Sequence, residues 1–282
     1  MQWDRAKNFM IIFFLLVNIL LMGLIRYESG VHTLTREREN AIQTIFAQNN
    51  VNMYYPIPRR FTPMRALQVS AHDYDTERLL SIFFPSHVLD DEIHHRSDSG
   101  RDEFAWQNLR LVIDRGYVFF VSGLGITGVP DQESAIALTQ AFVDQHYPDF
   151  RLDTESIRQA RRGGLRIFFR QEYQGHIIHT NYIEFLVTGD GDELVIEEVD
   201  MHYVRPVGFA YLPRDLVGPD EALLTFVQFY RLQSDEPVLI THMDIVYFQS
   251  SRESAYVEPT YRIFTQSQVE PFLINAYTNQ IQ

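Results

Sequence analysis

The sequence predicts an α+β protein in which one N-terminal transmembrane helix is followed by two modules of antiparallel sheet packed with helices. Three observations predict this architecture. Residues 8–25 form an uninterrupted apolar run, two later helices start at matching proline-acid signals, and β-rich segments follow each of these helices. We therefore expect a cytoplasmic tip and anchor at 1–28, a first extracytoplasmic module at 29–128, and a second region with repeated helix-meander units at 129–282.

Composition excludes several classes of function. The chain of 282 residues is 45% hydrophobic and 13% aromatic, which predicts a packed soluble region. Cysteine is absent, so disulfides, thiolate metal sites and a cysteine nucleophile are excluded. Of the net charge of −13, the four ionisable residues up to Arg26 contribute +2 and the remainder −15. Such an acidic region is not expected to bind nucleic acid.

The predicted anchor, NFMIIFFLLVNILLMGLI, contains no ionisable residue between Lys7 and Arg26. Its 18 residues span about 27 Å as a helix, close to the ~30 Å hydrocarbon thickness of a bilayer. A cleaved signal peptide is the competing interpretation. Its apolar core would be unusually long, however, and no Ala-x-Ala-like site follows Ile25. Arg5 and Lys7 predict a cytoplasmic N-terminus and an extracytoplasmic folded region on the cell membrane.

Three side chains of this segment are candidate partner contacts: Trp3, Lys7 and Asn18. Trp3 is expected at the cytoplasmic headgroup level, where indole rings are favoured. Asn18 is expected in the middle of the membrane, where an amide needs a hydrogen-bond partner. Either its own helix or water satisfies it, or it contacts the transmembrane helix of another protein. The sequence leaves both interpretations open.

The first module contains alternating signals for helices, strands and turns. The predicted elements are a juxtamembrane helix at 36–48, a strand at 64–71, a short helix at 74–84, an exposed polar loop at 90–102 and a hairpin at 109–113 and 117–121.

The second region uses one helix-start signal twice. Pro130-Asp131 and Pro219-Asp220 place proline at the first turn with acids after it, which is typical of a helix N-terminus. A helix over an antiparallel meander, formed twice, indicates an internal repeat. Strands are predicted at 165–173, 176–187 and 193–204 after the first helix, and at 238–248, 256–265 and 269–276 after the second.

One glycine pattern and two groups of histidines are candidates for chemistry. Gly123–Gly128 fits G-x-G-x-x-G, but the helix start at Pro130 follows the third glycine and no parallel strand ending in an acid follows. A loop between two domains is the better interpretation. The segment Asp90–His95 groups possible metal ligands without an H-E-x-x-H pattern, and His176 and His179 are expected on opposite faces of a strand. We expect no catalytic residue, no cofactor and no metal.

The two ends of the chain resemble the YycI (WalI) family of Gram-positive bacteria. The opening MQWDRAKN and IIFFLLVNILL match in Trp3, Lys7 and Asn18, and PTYRI and NAYT near the C-terminus are also similar. Chain length, the single anchor and two α+β modules agree as well. Asn279 stands where that family has glycine, and asparagine also tolerates positive φ, so the turn can be kept.

The resemblance implies a non-enzymatic accessory protein. Its partners would be a YycH-like protein and the WalK (YycG)-like sensor histidine kinase of the WalK/WalR (YycG/YycF) two-component system, which controls cell-wall metabolism. Contacts would run through the transmembrane helices and the external domains. Two alternatives remain: an anchored extracytoplasmic enzyme that acts on the wall, and a sensor module that binds a wall fragment or peptide.

Overall fold

The computed structural model describes residues 2–31, 33–86, 92–126, 128–161, 163–190, 193–251 and 254–282, without the side chains of 2–6, 9, 24–31 and 190. Few helices accompany a large, mostly antiparallel sheet, so the prediction of a mixed α+β fold is confirmed at this level. The helices are α1 (Gln2–Val31), α2 (Arg36–Gln48), α3 (Thr76–Phe83), α4 (Gln132–His146) and α5 (Pro219–Gln233).

The strands make up most of the folded region. They are β1 (Val51–Met53), β2 (Leu67–Ala71), β3 (His94–Asp98), β4 (Arg101–Trp106), β5 (Leu109–Asp114), β6 (Tyr117–Val121), β7 (Phe150–Leu152), β8 (Arg158–Gln159), β9 (Leu165–Tyr173), β10 (His176–Asp190), β11 (Glu193–His202), β12 (Val204–Phe209), β13 (Val238–Phe248), β14 (Tyr256–Thr265) and β15 (Phe272–Asn275).

Local signals placed most of these elements. The predicted helix 36–48 and the strands 238–248 and 256–265 coincide with α2, β13 and β14. The predicted start of α5 is confirmed, because Pro219 is its first residue. Helix α4 starts two residues later than predicted: Pro130 precedes the helix, and Asp131 caps it by accepting a hydrogen bond from the Ser134 N–H at 3.0 Å.

The prediction of a loop at 90–102 is wrong where the structure describes it. Residues from His94 onwards form the hairpin β3–β4, while 87–91 lie outside the described residues. Every residue of β3 is exposed. A strand that buries neither face has no apolar alternation, so the pattern used to recognise strands is missing there.

The sheet follows the order β12-β2-β14-β13-β10-β11-β6-β5-β4-β3. Its pairs are antiparallel except where β13 meets β1 and β10. The β10–β13 contact is a single pair, Ile178 with Tyr247. This narrow junction joins two broader halves of the sheet, and each half covers its own apolar core.

We call these two clusters the central core and the terminal core. The central core is built by side chains between Leu79 and Met201, from α3, α4, strands β4 to β7 and strands β9 to β11. The terminal core combines residues 34–61 with residues 216–276, so both ends of the folded region contribute to it. The boundary predicted at 128/129 falls between β6 and α4, which both contribute to the central core.

Each of the two later helices precedes an antiparallel three-stranded meander. Strands β9, β10 and β11 follow α4, with the short strands β7 and β8 inserted before them. Strands β13, β14 and β15 follow α5 directly. The order of elements after the two start signals is therefore the same apart from the insertion.

Helix α1 carries large apolar side chains that the rest of the described chain does not cover. Between Met10 and Met22 these side chains are 49–69% exposed. Among the described residues, we find no helix with both the length and the apolar character needed to cross a membrane. The anchor therefore stays a prediction from the sequence.

Candidate functional site

The predicted contact residues all lie on α1. Asn18 is exposed, and its side-chain N–H donates to the Phe14 carbonyl oxygen at 2.7 Å. We find no described donor to its amide oxygen. Lys7 is exposed, and the side chain of Trp3 lies outside the described residues. One amide hydrogen of Asn18 is thus satisfied by its own helix, which leaves the second hydrogen and the oxygen for another group.

A short connection joins α1 to the terminal core. Helix α1 ends at Val31, and the Leu34 side chain is already buried at 3% exposure. The Leu34 N–H donates to the Arg59 carbonyl oxygen at 2.9 Å, and Thr33 forms a bridge with Arg60. The hydroxyl of Thr35 then caps α2. Residue 32 lies outside the described residues, and the chain is packed from Thr33 onwards.

The glycine motif lies in the loop between β6 and α4, and its residue 127 is outside the described residues. Strand β6 pairs antiparallel with β5 and β11, so the parallel βαβ unit that a dinucleotide site requires is not formed there. Helix α4 starts only at Gln132, four residues after Gly128. The loop connects two elements of the central core.

The candidate histidines are separated from one another. His95 Nε2 lies 3.0 Å from Asp102 Oδ1, and its ring stacks on Phe104 with centroids 4.4 Å apart. His176 is exposed whereas His179 is buried. No group of three His, Asp or Glu side chains in the described ranges is placed to hold a metal ion.

The C-terminal segments that carry the resemblance lie side by side. Thr260 in β14 pairs with Asn275 in β15. The buried Asn275 side chain donates to Glu258 Oε2 at 2.6 Å and accepts the Tyr277 N–H at 2.8 Å. Asn279 has φ +59°, which confirms that asparagine takes the conformation expected of glycine in this turn. The role visible for these residues is to fix the end of β15.

A buried ion cluster fixes the two halves of the sheet together. Asp153, just after β7, receives the Arg262 Nη1 donor at 2.6 Å and the Arg170 Nε donor at 3.3 Å. Arg262 on β14 also donates to both carboxylate oxygens of Asp244 on β13, at 2.9 and 2.7 Å. The side chains of Asp153, Arg170 and Arg262 are 5–7% exposed. Satisfied buried pairs of this kind are geometrically demanding, so the cluster fixes the relative position of the two cores.

A cavity of about 480 Å³ opens beside the central core, and we call it the aromatic cavity. Its walls come from the start of α3, the end of α4 and the end of β11. A continuous series of rings lines it: Tyr74, His72, Tyr203, Phe150 and Tyr147, with neighbouring centroids 4.8, 4.5, 6.2 and 6.1 Å apart. Cavities of this size and character commonly hold small ligands.

Hydrogen bonds of their hydroxyl groups hold two of these rings in place. The Tyr74 hydroxyl donates to the Gly116 carbonyl oxygen at 3.2 Å. The Gln171 amide donates to the Tyr203 hydroxyl at 3.4 Å, and buried Asn181 in turn donates to the Gln171 amide oxygen at 2.7 Å. The positions of these two rings are therefore set by the backbone at Gly116 and by the buried side chains of Gln171 and Asn181.

The sequence did not predict the aromatic cavity. Its ring-bearing segments, His72–Tyr74, His146–Phe150 and Tyr203, are far apart in the chain. A local signal was present, because HDYD and HYPD both combine histidine, tyrosine and aspartate next to a helix end. Nothing in the sequence indicates that these two segments meet.

Comparisons with known proteins identify neither a family nor an activity. No protein-family model matches the chain, and no curated protein matches it. Two solved structures align with it at 10% identity. The alignment with an uncharacterized protein from Eubacterium rectale covers 82% of this chain and 88% of that protein's chain, with a TM-score of 0.49. The alignment with the C-terminal domain of YpeB from Bacillus megaterium covers 76% of this chain and 98% of that domain, with a TM-score of 0.41.

Proposed function

We propose that this chain is a membrane-anchored, non-enzymatic accessory protein that regulates a sensor histidine kinase of cell-wall homeostasis, together with a YycH-like partner. In this proposal α1 is the single membrane helix, with Lys7 at its cytoplasmic end and the two α+β units outside the cytoplasm. The source of the proposal is the resemblance of both chain ends to the YycI family. An anchored wall enzyme has no comparable support from a described group of side chains.

The observation that carries the proposal is the packed connection after α1. A regulator that works through its membrane helix must pass a displacement of that helix to its external domain. A flexible linker would absorb such a displacement. Here the chain enters the terminal core at Leu34, and Ile42 and Phe46 of α2 are buried in that core. In this proposal, a shift or rotation of α1 would therefore reach packed chain within a few residues.

The exposed surface of α1 supports the same proposal. Contiguous apolar surface of this extent is typical of a membrane or protein contact. Apolar packing gives little specificity in lipid, because lipid tails compete equally well for it, whereas an amide contributes about 0.6–2 kcal/mol when a partner helix receives it. Asn18, with a hydrogen and an oxygen left over, is the residue we assign to that contact.

Co-purification from membranes tests the class of protein. We expect a sensor histidine kinase or a YycH-like protein at near-equal amount. Site-specific crosslinking in intact membranes then tests the contact: Asn18→Leu should weaken association roughly 3- to 30-fold, whereas Leu20→Ile, an apolar exchange on the same helix, should leave it unchanged. Recovery of neither partner would reject the proposed function, and full crosslinking by Asn18→Leu would move the contact to the external domain.

A further inference from the structure

Neighbouring rings in the lining of the aromatic cavity meet nearly edge to face. His72 meets Tyr74 and Tyr203 at interplanar angles of 85° and 87°, and Tyr147 meets Phe150 at 77°. Rings that line one cavity at such angles turn their electron-rich faces in more than one direction, and such faces attract cations. Burial raises the pKa of Tyr147 to about 12, so its ring stays neutral at physiological pH.

The charged side chains of the same lining favour a cation. Asp73, Asp75 and Asp149 contribute three carboxylates, and Arg78 contributes the one guanidinium among the residues lining the cavity. Burial lowers the pKa of His72, and burial together with Arg78 lowers that of His146, so neither ring offsets the carboxylates at pH 7. The lining therefore carries a formal charge of −2.

Arg78 is already engaged within the lining. Its Nη2 donates to the His146 carbonyl oxygen at 2.8 Å, and its guanidinium lies 5.9 Å from the centroid of Tyr147. Its own backbone N–H donates to Asp75, which caps α3. One aromatic face of the cavity thus already holds a cation, while Asp73 and Asp149 have no side-chain hydrogen bond within the described residues.

We propose that the aromatic cavity binds a small molecule through an organic ammonium group. The rings surround the cationic group, and the carboxylates of Asp73 and Asp149 balance its charge from the rim. The volume of about 480 Å³ leaves room for a body larger than the ammonium group itself. This site lies in the central core and does not depend on the anchor, the kinase or the YycH-like partner.

Three probes of similar shape and different charge separate the effect of charge on binding from the effect of shape. Choline carries the ammonium group, 3,3-dimethylbutan-1-ol is its neutral isostere, and 3,3-dimethylbutanoate carries the opposite charge. Binding to the full chain in maltoside micelles is measured by ligand-observed NMR. Choline should bind about tenfold more tightly than the neutral alcohol, and the carboxylate should bind least.

Substitutions that remove either a negative or a positive charge then test where the ligand binds. Asp149→Asn should weaken choline binding about three- to fivefold, and Arg78→Gln should strengthen it by a similar factor, because removing a nearby charge changes the interaction by about 1 kcal/mol in a wet site. Tyr147→Phe should leave choline affinity unchanged, and Tyr147→Leu should reduce it. Asp235→Asn, an exposed acid after α5, is the matched control and should have no effect.

A misfolded variant lowers affinity whatever its charge, so the gain expected for Arg78→Gln separates recognition from folding. Equal binding of choline and the neutral alcohol would overturn the proposal, as would tighter binding of the carboxylate. Absence of choline binding at tens of millimolar would also overturn it. None of these outcomes bears on co-purification with a kinase, which tests the proposed function separately.

Discussion

Arg38 and Asp220, which are 182 positions apart, form a two-pronged ion pair that joins the start of α2 to the first turn of α5. Arg38 Nε and Nη2 lie 2.7 and 2.9 Å from the two carboxylate oxygens, and Nη2 also donates to Glu221 at 2.7 Å. The Asp220 side chain is only 8% exposed. The segment that follows α1 is thereby tied to α5.

Arg38→Gln should loosen α2 from α5. The change leaves the Asp220 carboxylate buried without its main partner, although the N-terminus of α5 still favours a negative charge. Because the Arg38 side chain is 39% exposed, we expect a loss of about 1–2 kcal/mol rather than the full cost of a broken buried pair. Hydrogen–deuterium exchange should accelerate in α2 and α5 and stay unchanged in α3 and α4.

Arg36→Gln is the matched control, since Arg36 is exposed on the same helix. It should change local exchange by less than the equivalent of ~0.5 kcal/mol. Equal protection of α2 in Arg38→Gln and in the wild type would mean that apolar packing of Ile42 and Phe46 alone holds the two helices together.

Asp153→Asn should be among the most destabilising single changes in the folded region. It removes the carboxylate shared by Arg170 and Arg262, and both arginines stay buried. Breaking a buried ion pair from one side costs about 3–5 kcal/mol. The expected result is a large fall in the thermal unfolding temperature. Glu155→Gln, an exposed neighbour, should leave that temperature nearly unchanged.

The glycines of Gly123–Gly128 provide a test of why that loop contains them. Gly123 has φ +58°, and an added Cβ would lie 2.5 Å from the Asn108 carbonyl oxygen. Gly125 has φ +66° with nothing within 4 Å of an added Cβ. Gly125→Ala should cost only the ~1–2 kcal/mol of a left-handed alanine, whereas Gly123→Ala should cost a further ~1–3 kcal/mol. Urea unfolding measures both, and equal losses would contradict the proposed close approach.

The structural features that the sequence predicted correctly depend on signals between neighbouring residues. The start of α5 at Pro219 and the positive φ of Asn279 each involve a few neighbouring residues, and both were predicted correctly. These features depend on backbone sterics and hydrogen bonds that any local context reproduces. The antiparallel meanders follow from strands separated by short turns.

The contacts that define the candidate sites are long-range and left no such signal. Asp153 meets Arg262 across 109 positions, and the rings of Tyr74 and Tyr203, which line one cavity, come from distant parts of the chain. Local sequence patterns also do not predict that residues 34–61 pack against residues 216–276. Periodicity shows which face of an element is apolar but not which other element covers that face. The two cores therefore emerged only from the structure.

The pair His242 and Asp244 predicts a specific dependence of stability on pH. The carboxylate of Asp244, whose Oδ2 lies 3.8 Å from His242 Nε2, favours the charged imidazole and raises its pKa above 6.5 despite its burial. Burial would raise the pKa of the Asp244 carboxyl, but the nearby charge of His242 and the hydrogen bonds from Arg262 outweigh it and lower that pKa below 3.8. The pair thus contributes most between roughly pH 4 and 6.5.

The contribution of His242 is complete below its unfolded pKa and is lost as pH rises through its raised folded value. The stability difference between the wild type and His242→Gln should therefore be largest near pH 5.5 and should shrink by about pH 8.5. Only this difference is informative, because burial lowers the pKa of His72, His146 and His179 and gives them the opposite dependence. Thermal unfolding across this range measures it. Repeating the substitution in an Asp244→Asn background should remove the fall of the difference with rising pH, because burial and Arg262 then lower the pKa of His242 and only Glu155 raises it. A difference that persists there would assign it to another partner of His242, and one that grows with pH would contradict the raised pKa.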